Sequence, residues 1–172
     1  MGVPRPLPYT GIVSAPPFPA VELMHPTLVH EPFHRDGWVY EEKVAGYRML
    51  ACNAGDVRLV SRNARNHTTR FPGVTVAVHA LGQAPPMLDG EITVFDGQLL
   101  SRFEWIRHRQ PPDLATPPMF IAFDCLQAKG KDLRALPLHR RGTILEKLLA
   151  DQALVLPVRR SPAMGWRPGS TY

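Results

Sequence analysis

Trp38-Val39-Tyr40-Glu41-Glu42-Lys43-Val44-Ala45-Gly46-Tyr47-Arg48 is the stretch on which the reading of this chain turns. An apolar, strand-like lead-in delivers a lysine to the mouth of a small-residue turn, and an arginine follows shortly after. A lysine amine becomes a nucleophile when cationic or apolar surroundings free it from its proton. Arg48 is the candidate source of the neighbouring positive charge. Taken alone, a lysine after a strand is more simply a solvated surface residue. The rest of the chain decides against that simpler reading.

Outward from Lys43 the pattern is β. Tyr47 to Cys52 and Val57 to Ser61 read as strands, with Asn53-Ala54-Gly55-Asp56 as the hairpin turn between them. Pro72 to Leu81 reads as a short helix with its proline in the first turn, where a missing N–H costs nothing. Ile92 to Phe95 and Leu99-Leu100 flank Asp96-Gly97, a strong hairpin signal. Ser101 is the expected cap of a short helix reaching Arg107. Met119 to Leu126 is a near-continuous apolar run, which predicts a central strand covered on both faces. Leu138 to Ala150 places Leu138, Leu145, Leu148 and Leu149 on one helical stripe. Ala153 to Val158 reads as a last strand.

Five segments carry chemistry in a fixed order: Lys43-Val44-Ala45-Gly46-Tyr47-Arg48; Ser61-Arg62-Asn63-Ala64 with Thr69-Arg70-Phe71-Pro72; Leu88-Asp89-Gly90-Glu91-Ile92; Phe120 to Leu126, ending in Phe-Asp-Cys-Leu; and Leu136 to Arg141 before a Leu-rich helix. In this order and at these spacings the chain resembles the ATP-dependent DNA ligases, and most closely the bacterial end-joining type. The lysine run is similar to K-x-D-G followed by an aromatic residue and an arginine. The next two segments are similar to S-R-N-G with F-P, and to D-G-E-I. The resemblance implies an α+β nucleotidyltransferase (ATP-grasp-like) adenylation domain of antiparallel sheets flanked by helices, incomplete at its C-terminus. It divides the chain into an extended Pro-rich segment over 1–20, a partial adenylation domain over 21–160 and an irregular tail over 161–172.

In such enzymes the lysine amine attacks the α-phosphate of ATP, releases pyrophosphate and holds AMP until a 5′-phosphate at a DNA nick accepts it. The resemblance assigns Lys43 as that catalytic nucleophile. It places Glu41 near the adenine edge, Arg48 at the ribose or the DNA, and Arg62 on a phosphate, which a planar guanidinium fork suits. Glu91 is expected at the ribose or with Mg2+, with Asp89 held by the turn beside it. Phe123 is expected to stack on the adenine, a contact of about 1–3 kcal/mol. ATP and Mg2+ are the implied cofactors. Nicked double-stranded DNA is the implied partner, end-joining proteins are further candidates, and the implied setting is DNA repair and recombination in the bacterial cytoplasm.

Two departures bear on activity. Ala45 stands where the family has Asp, and Ala64 where it has Gly, which matters if that backbone needs a positive φ. The later E-G-x-V-x-K and W-x-K-x-K segments and the oligonucleotide-binding barrel are not found. Lysyl-AMP formation is therefore expected to be impaired, and nick sealing by this chain alone is not expected. The alternatives are a non-catalytic nucleotide- or DNA-binding remnant, or an RNA ligase or capping-type nucleotidyltransferase. The Arg62-Asn63 and Arg70-Phe71-Pro72 signals fit the latter less well.

Composition agrees without deciding. At 172 residues the length suits one domain, and a net charge of +5 suits a polyanionic partner. Cys52 and Cys125 fall inside expected strands as small apolar residues and have no metal spacing. The seven histidines form no metal pattern, and no Walker-type lysine loop occurs. No apolar run is long enough to span a membrane.

Overall fold

The computed structural model describes residues 21, 23–31, 33, 35, 38–53, 56–82, 86–107 and 114–161, with Asn53 described by its backbone only. Residues 1–30 form one unit, in which the described residues adopt no helix or strand. Residues 31–172 form the other and hold every regular element described below. The expected Pro-rich segment over 1–20, and all of the expected tail beyond Ser161, lie outside the described residues.

The strands are β1 (Tyr40–Glu41), β2 (Tyr47–Asn53), β3 (Val57–Ser61), β4 (Met87–Thr93), β5 (Met119–Ala128), β6 (Lys131–Asp132), β7 (Val155–Pro157) and β8 (Arg160–Ser161). The helices are α1 (Pro72–His79) and α2 (Leu138–Leu149). The main sheet runs β3-β2-β4-β5-β6 with antiparallel neighbours, and β7 joins β5 in parallel. β1 and β8 pair separately, with Tyr40 opposite Ser161 and Glu41 opposite Arg160.

Strand alternation assigns the two faces of the main sheet. Met49 and Ala51 of β2, Leu88 and Ile92 of β4, and Phe120 and Ala122 of β5 enter the apolar core. Val74 and Val78 of α1, with Leu145 and Leu149 of α2, complete that core. The intervening residues Arg48, Asp89 and Glu91 lie on the other face, and so does Ile121. β5 carries a bulge beside them: Gly90 faces Ala122 and Asp89 faces Asp124, so Phe123 is the extra residue. Bulges of this kind re-aim one side chain and increase local twist.

An ion pair bolts α2 to β5. Arg141 donates two hydrogen bonds to the Asp124 carboxylate, at 2.7 and 2.9 Å, and both side chains are buried. Asp124 also accepts the Cys125 amide, so both of its oxygens are engaged. Such a pair costs desolvation and repays it only when fully satisfied. Among the described residues no buried side-chain nitrogen or oxygen lacks a partner.

Several expectations need correction. Asp89-Gly90 lies in the middle of β4 rather than in a turn, because Gly90 serves a close strand approach. β4 therefore begins at Met87, not Ile92. The Asp96-Gly97 hairpin shrinks to a single bridge between Phe95 and Ser101, closed by the Asp96 carboxylate accepting the Gln98 and Leu100 amides. There Leu99, not the glycine, has the positive φ of 61°. Ser101 caps no helix; only a 3-10 turn forms, over Glu104–Ile106. In α2 the buried stripe is Arg141, Gly142, Leu145 and Leu149, while Leu138 is exposed at the helix start.

Candidate active site

Lys43 sits in the irregular connection between β1 and β2, and its side chain is exposed. That connection is clamped onto the sheet through its backbone. The Thr93 hydroxyl donates to the Ala45 carbonyl at 2.7 Å, and the Ala45 amide donates to the Ser101 hydroxyl at 2.9 Å. The Glu42 amide donates to the Arg159 carbonyl at 3.1 Å. Gly46 lies against β4 so closely that a Cβ would strike the Ile92 carbonyl oxygen. Glycine there is a requirement of space rather than of flexibility. Thr93 and Ser101 hold the position at which an acid is usual, a role that nothing in their local sequence announces.

On the sheet beneath, Arg48 reaches diagonally across β4 and grips Asp89 with both prongs. Nε donates to one oxygen at 3.1 Å and Nη2 to the other at 2.8 Å. Burial pushes the Asp89 carboxyl upward in pKa, and the Arg48 hydrogen bonds pull it back. The positive charge expected to act on Lys43 is thus engaged by Asp89. The Arg48 guanidinium also lies 5.4 Å from the Phe123 ring centroid, so the bulged aromatic and the arginine stack.

Glu91 stands opposite Arg48 in the β2–β4 register. Burial raises its pKa above the ordinary carboxylate range; the Gly46 N–H, the Arg48 guanidinium and the Lys43 ammonium oppose that rise. Arg48 therefore touches both Asp89 and the Phe123 ring on one face of the sheet, with Glu91 opposite it in register. Glu41 is held from β8, where Arg160 donates Nε to its carboxylate at 3.0 Å. Arg62 lies exposed in the turn after β3, and the structure gives no contact between it and the others.

A cleft of about 200 Å³ opens beside the same connection, walled by Glu42, Val44, Phe95, Ile121, Leu156 and Arg159 among others. It is mainly apolar, and none of the expected site residues lines it. We take the polar cluster rather than this cleft as the chemical centre, because Lys43 does not line the cleft.

A second cluster mixes arginine with aromatic rings. Arg107 donates Nε to the Tyr47 hydroxyl at 3.3 Å and sits 5.7 Å from the Phe103 centroid. Arg70 lies 5.2 Å from the Tyr47 centroid and donates to the Ile106 carbonyl at 3.0 Å. The Arg107 hydrogen bond leads in lowering the Tyr47 pKa.

The backbone of the second motif answers the question raised by Ala64, whose φ is +56°. A left-handed alanine costs about 1–2 kcal/mol, and glycine gives back part of that through its looser unfolded chain. Ala64→Gly is therefore expected to stabilise the protein by about 0.5–1 kcal/mol, raising the thermal midpoint by roughly 2–4 °C per kcal/mol. A lower midpoint in calorimetry would contradict the strained backbone.

Comparison with known proteins gives one consistent result. A family model described as ATP dependent DNA ligase domain matches residues 18–162. The multifunctional non-homologous end joining protein LigD of Pseudomonas aeruginosa is 34% identical over 140 residues, covering 81% of this chain and 16% of that protein. The bifunctional end-joining LigD of Bacillus subtilis is 32% identical over 154 residues, covering 81% of this chain and 25% of that one. The crystal structure of the ligase domain from M. tuberculosis LigD superposes with a TM-score of 0.63 at 28% identity. A mycobacterial DNA ligase D complexed with ATP and MES gives 0.62 at the same identity. Each superposition covers 73% of this chain and 40% of the solved one.

Proposed function

This chain belongs to the ATP-dependent DNA ligase domain family, and we propose that it takes up AMP from ATP on Lys43 as the first step of DNA end joining. The observation that carries the proposal is the connection carrying Lys43, clamped to the sheet through Ala45 and Gly46, next to the strand of Glu91 and the face where Arg48 and Phe123 stack. The Lys43 amine forms a bond to the α-phosphate as the bond to pyrophosphate breaks, and the amine sheds its protons to the surroundings. Phe123 offers a ring for the base and Arg62 an exposed fork for a phosphate.

For Mg2+, the donors present fit a lightly held ion. Asp89 is occupied by Arg48, and among the described residues no group of three or more carboxylate, histidine or cysteine side chains converges on one point. Glu91 would be the carboxylate that holds it, with water and substrate oxygens as its other partners. Mg2+ commonly binds in that way, and bound there it would neutralise phosphate charge.

Nicked duplex DNA is the proposed acceptor. The Arg70, Arg107, Tyr47 and Phe103 cluster, with Arg62 and Arg65 exposed nearby in sequence, suits a phosphate backbone. End-joining proteins are proposed as further partners, and the bacterial cytoplasm as the location; among the described residues no helix is long and apolar enough to cross a membrane. Ala45 favours one competing reading, a binding remnant without chemistry. Thr93 and Ser101 weigh against it, since they hold that loop without the acid.

Incubation with ATP labelled on the α-phosphate, with Mg2+, is expected to leave acid-stable label on the protein. Peptide mass spectrometry should place it at Lys43. Nucleotide binding with no covalent label would leave the remnant reading standing and remove the enzyme.

A further inference from the structure

Arg160 lies far along the chain from the lysine run and outside the five motif segments quoted above. It is nevertheless the most connected side chain at the edge of the site. β8 pairs with β1 so that Arg160 stands directly opposite Glu41. Its Nε and Nη2 both meet one Glu41 oxygen, at 3.0 and 2.9 Å. Nη2 also donates to the Phe123 carbonyl at 3.2 Å, at the bulge that aims the aromatic ring. Nη1 approaches Glu146 of α2 at 3.8 Å. A single guanidinium therefore spans β1, β5 and α2, and only 15% of its side chain is exposed.

The sequence makes room for it. Gly142 is buried in the middle of α2, where glycine costs about 1 kcal/mol relative to alanine. A Cβ at that position would fall on the Arg160 guanidinium. The glycine is explained by the arginine packed over it, and its helix penalty is offset by that packing.

We propose that Arg160 is a positioning residue for nucleobase selectivity, fixing the Glu41 carboxylate and the backbone of Phe123 in one arrangement. The proposal rests on the proposed function, with Phe123 at the face of the base, and on the expectation from the resemblance that Glu41 meets its edge. A carboxylate held in place accepts the amino group of adenine and repels the carbonyl oxygen that guanine presents there. A carboxylate free to rotate can turn to the N–H groups of guanine instead. One arginine thus sets both the acceptor that reads the base and the strand bulge that supports it.

The test compares ATP and GTP, each as equilibrium binding and as acid-stable label, in the wild type, Arg160→Met, Arg160→Lys and Gly142→Ala. Gly142→Ala displaces the guanidinium while keeping its charge and improving helix propensity, so it holds the proposal open to refutation if Arg160→Met does not fold. The expected result is a fall of about tenfold or more in the ATP-to-GTP ratio for Arg160→Met and Gly142→Ala, one charge-assisted contact's worth. Arg160→Lys, which keeps the charge and loses the fork, should fall between. Equal losses for both nucleotides, or an unchanged ratio, would overturn the proposal and leave Arg160 as a structural tie. A wild type that binds neither nucleotide would instead sink the reading of the site, and this inference with it.

Discussion

Lys43→Ala is expected to abolish covalent AMP uptake while leaving the fold and reversible nucleotide binding in place. The amine is the bond-forming atom, and no neighbouring side chain can replace it. The Arg48 guanidinium is bound to Asp89, Glu91 is a carboxyl group, and the Thr93 hydroxyl is already committed to the Ala45 carbonyl. Removing a nucleophile outright commonly costs about 10⁴-fold or more in rate, which in a labelling assay is background. The fold should not notice. Lys43 is exposed, and the loop around it is held through the backbones of Glu42 and Ala45. Surface changes of this kind usually stay within about 0.5 kcal/mol. Label persisting in Lys43→Ala, with an unchanged melting curve, would move the nucleophile to another residue.

The ease with which Lys43 could be read from sequence was not shared by the parts that hold it. β5 is a near-continuous apolar run, and β2 and β3 are rich in apolar residues on either side of a turn signal, so composition suffices to find them. α2 is legible from its leucine spacing. Its true buried stripe includes Arg141 and Gly142, which are chosen by partners on β5 and β8 rather than by apolarity. Asp-Gly in β4 read as a turn because glycine has two unrelated uses, positive φ and close approach, and only the folded neighbours tell them apart. Thr93, Ser101 and Arg160 act across 48, 56 and 119 residues of chain respectively, and no local pattern encodes contacts at that separation. Motif order therefore points to the family, while the frame around the candidate site is visible only in three dimensions. The expected convergence of Glu41 and Arg62 with the rest of the site remains a proposal, since Glu41 is tied to Arg160 and Arg62 stands apart.

Gly90→Ala is expected to be the most damaging conservative change in the sheet, costing about 3 kcal/mol or more, with Gly90→Val failing to fold. Gly90 lies in β4 where β5 passes unusually close, at the bulge that frees Phe123. A Cβ there would stand 2.5 Å from the Ile121 carbonyl oxygen and 2.8 Å from the Ala122 Cα. Those are backbone atoms of a central strand, so no rotamer change relieves the clash. The Phe120 ring, also 2.8 Å away, is fully buried in the core and has nowhere to retreat. Overpacking of a well-filled core typically costs about 1–3 kcal/mol, and a clash with backbone belongs at or beyond the upper end. Against a total stability of about 5–15 kcal/mol that is a large fraction. Gly97→Ala supplies the control, since a Cβ there meets nothing within 4 Å and should cost no more than about 0.5 kcal/mol. Denaturant titration of both variants measures the difference directly. A Gly90→Ala midpoint equal to that of Gly97→Ala would mean that the strands are not so close. The same shift should reach the chemistry, because Gly90 separates Asp89 from Glu91 on one strand. Parting β4 from β5 moves the carboxylate that fixes Arg48 together with the one proposed to face the metal. Any folded fraction of Gly90→Ala should accordingly lose AMP uptake as well as stability, while Gly97→Ala keeps both.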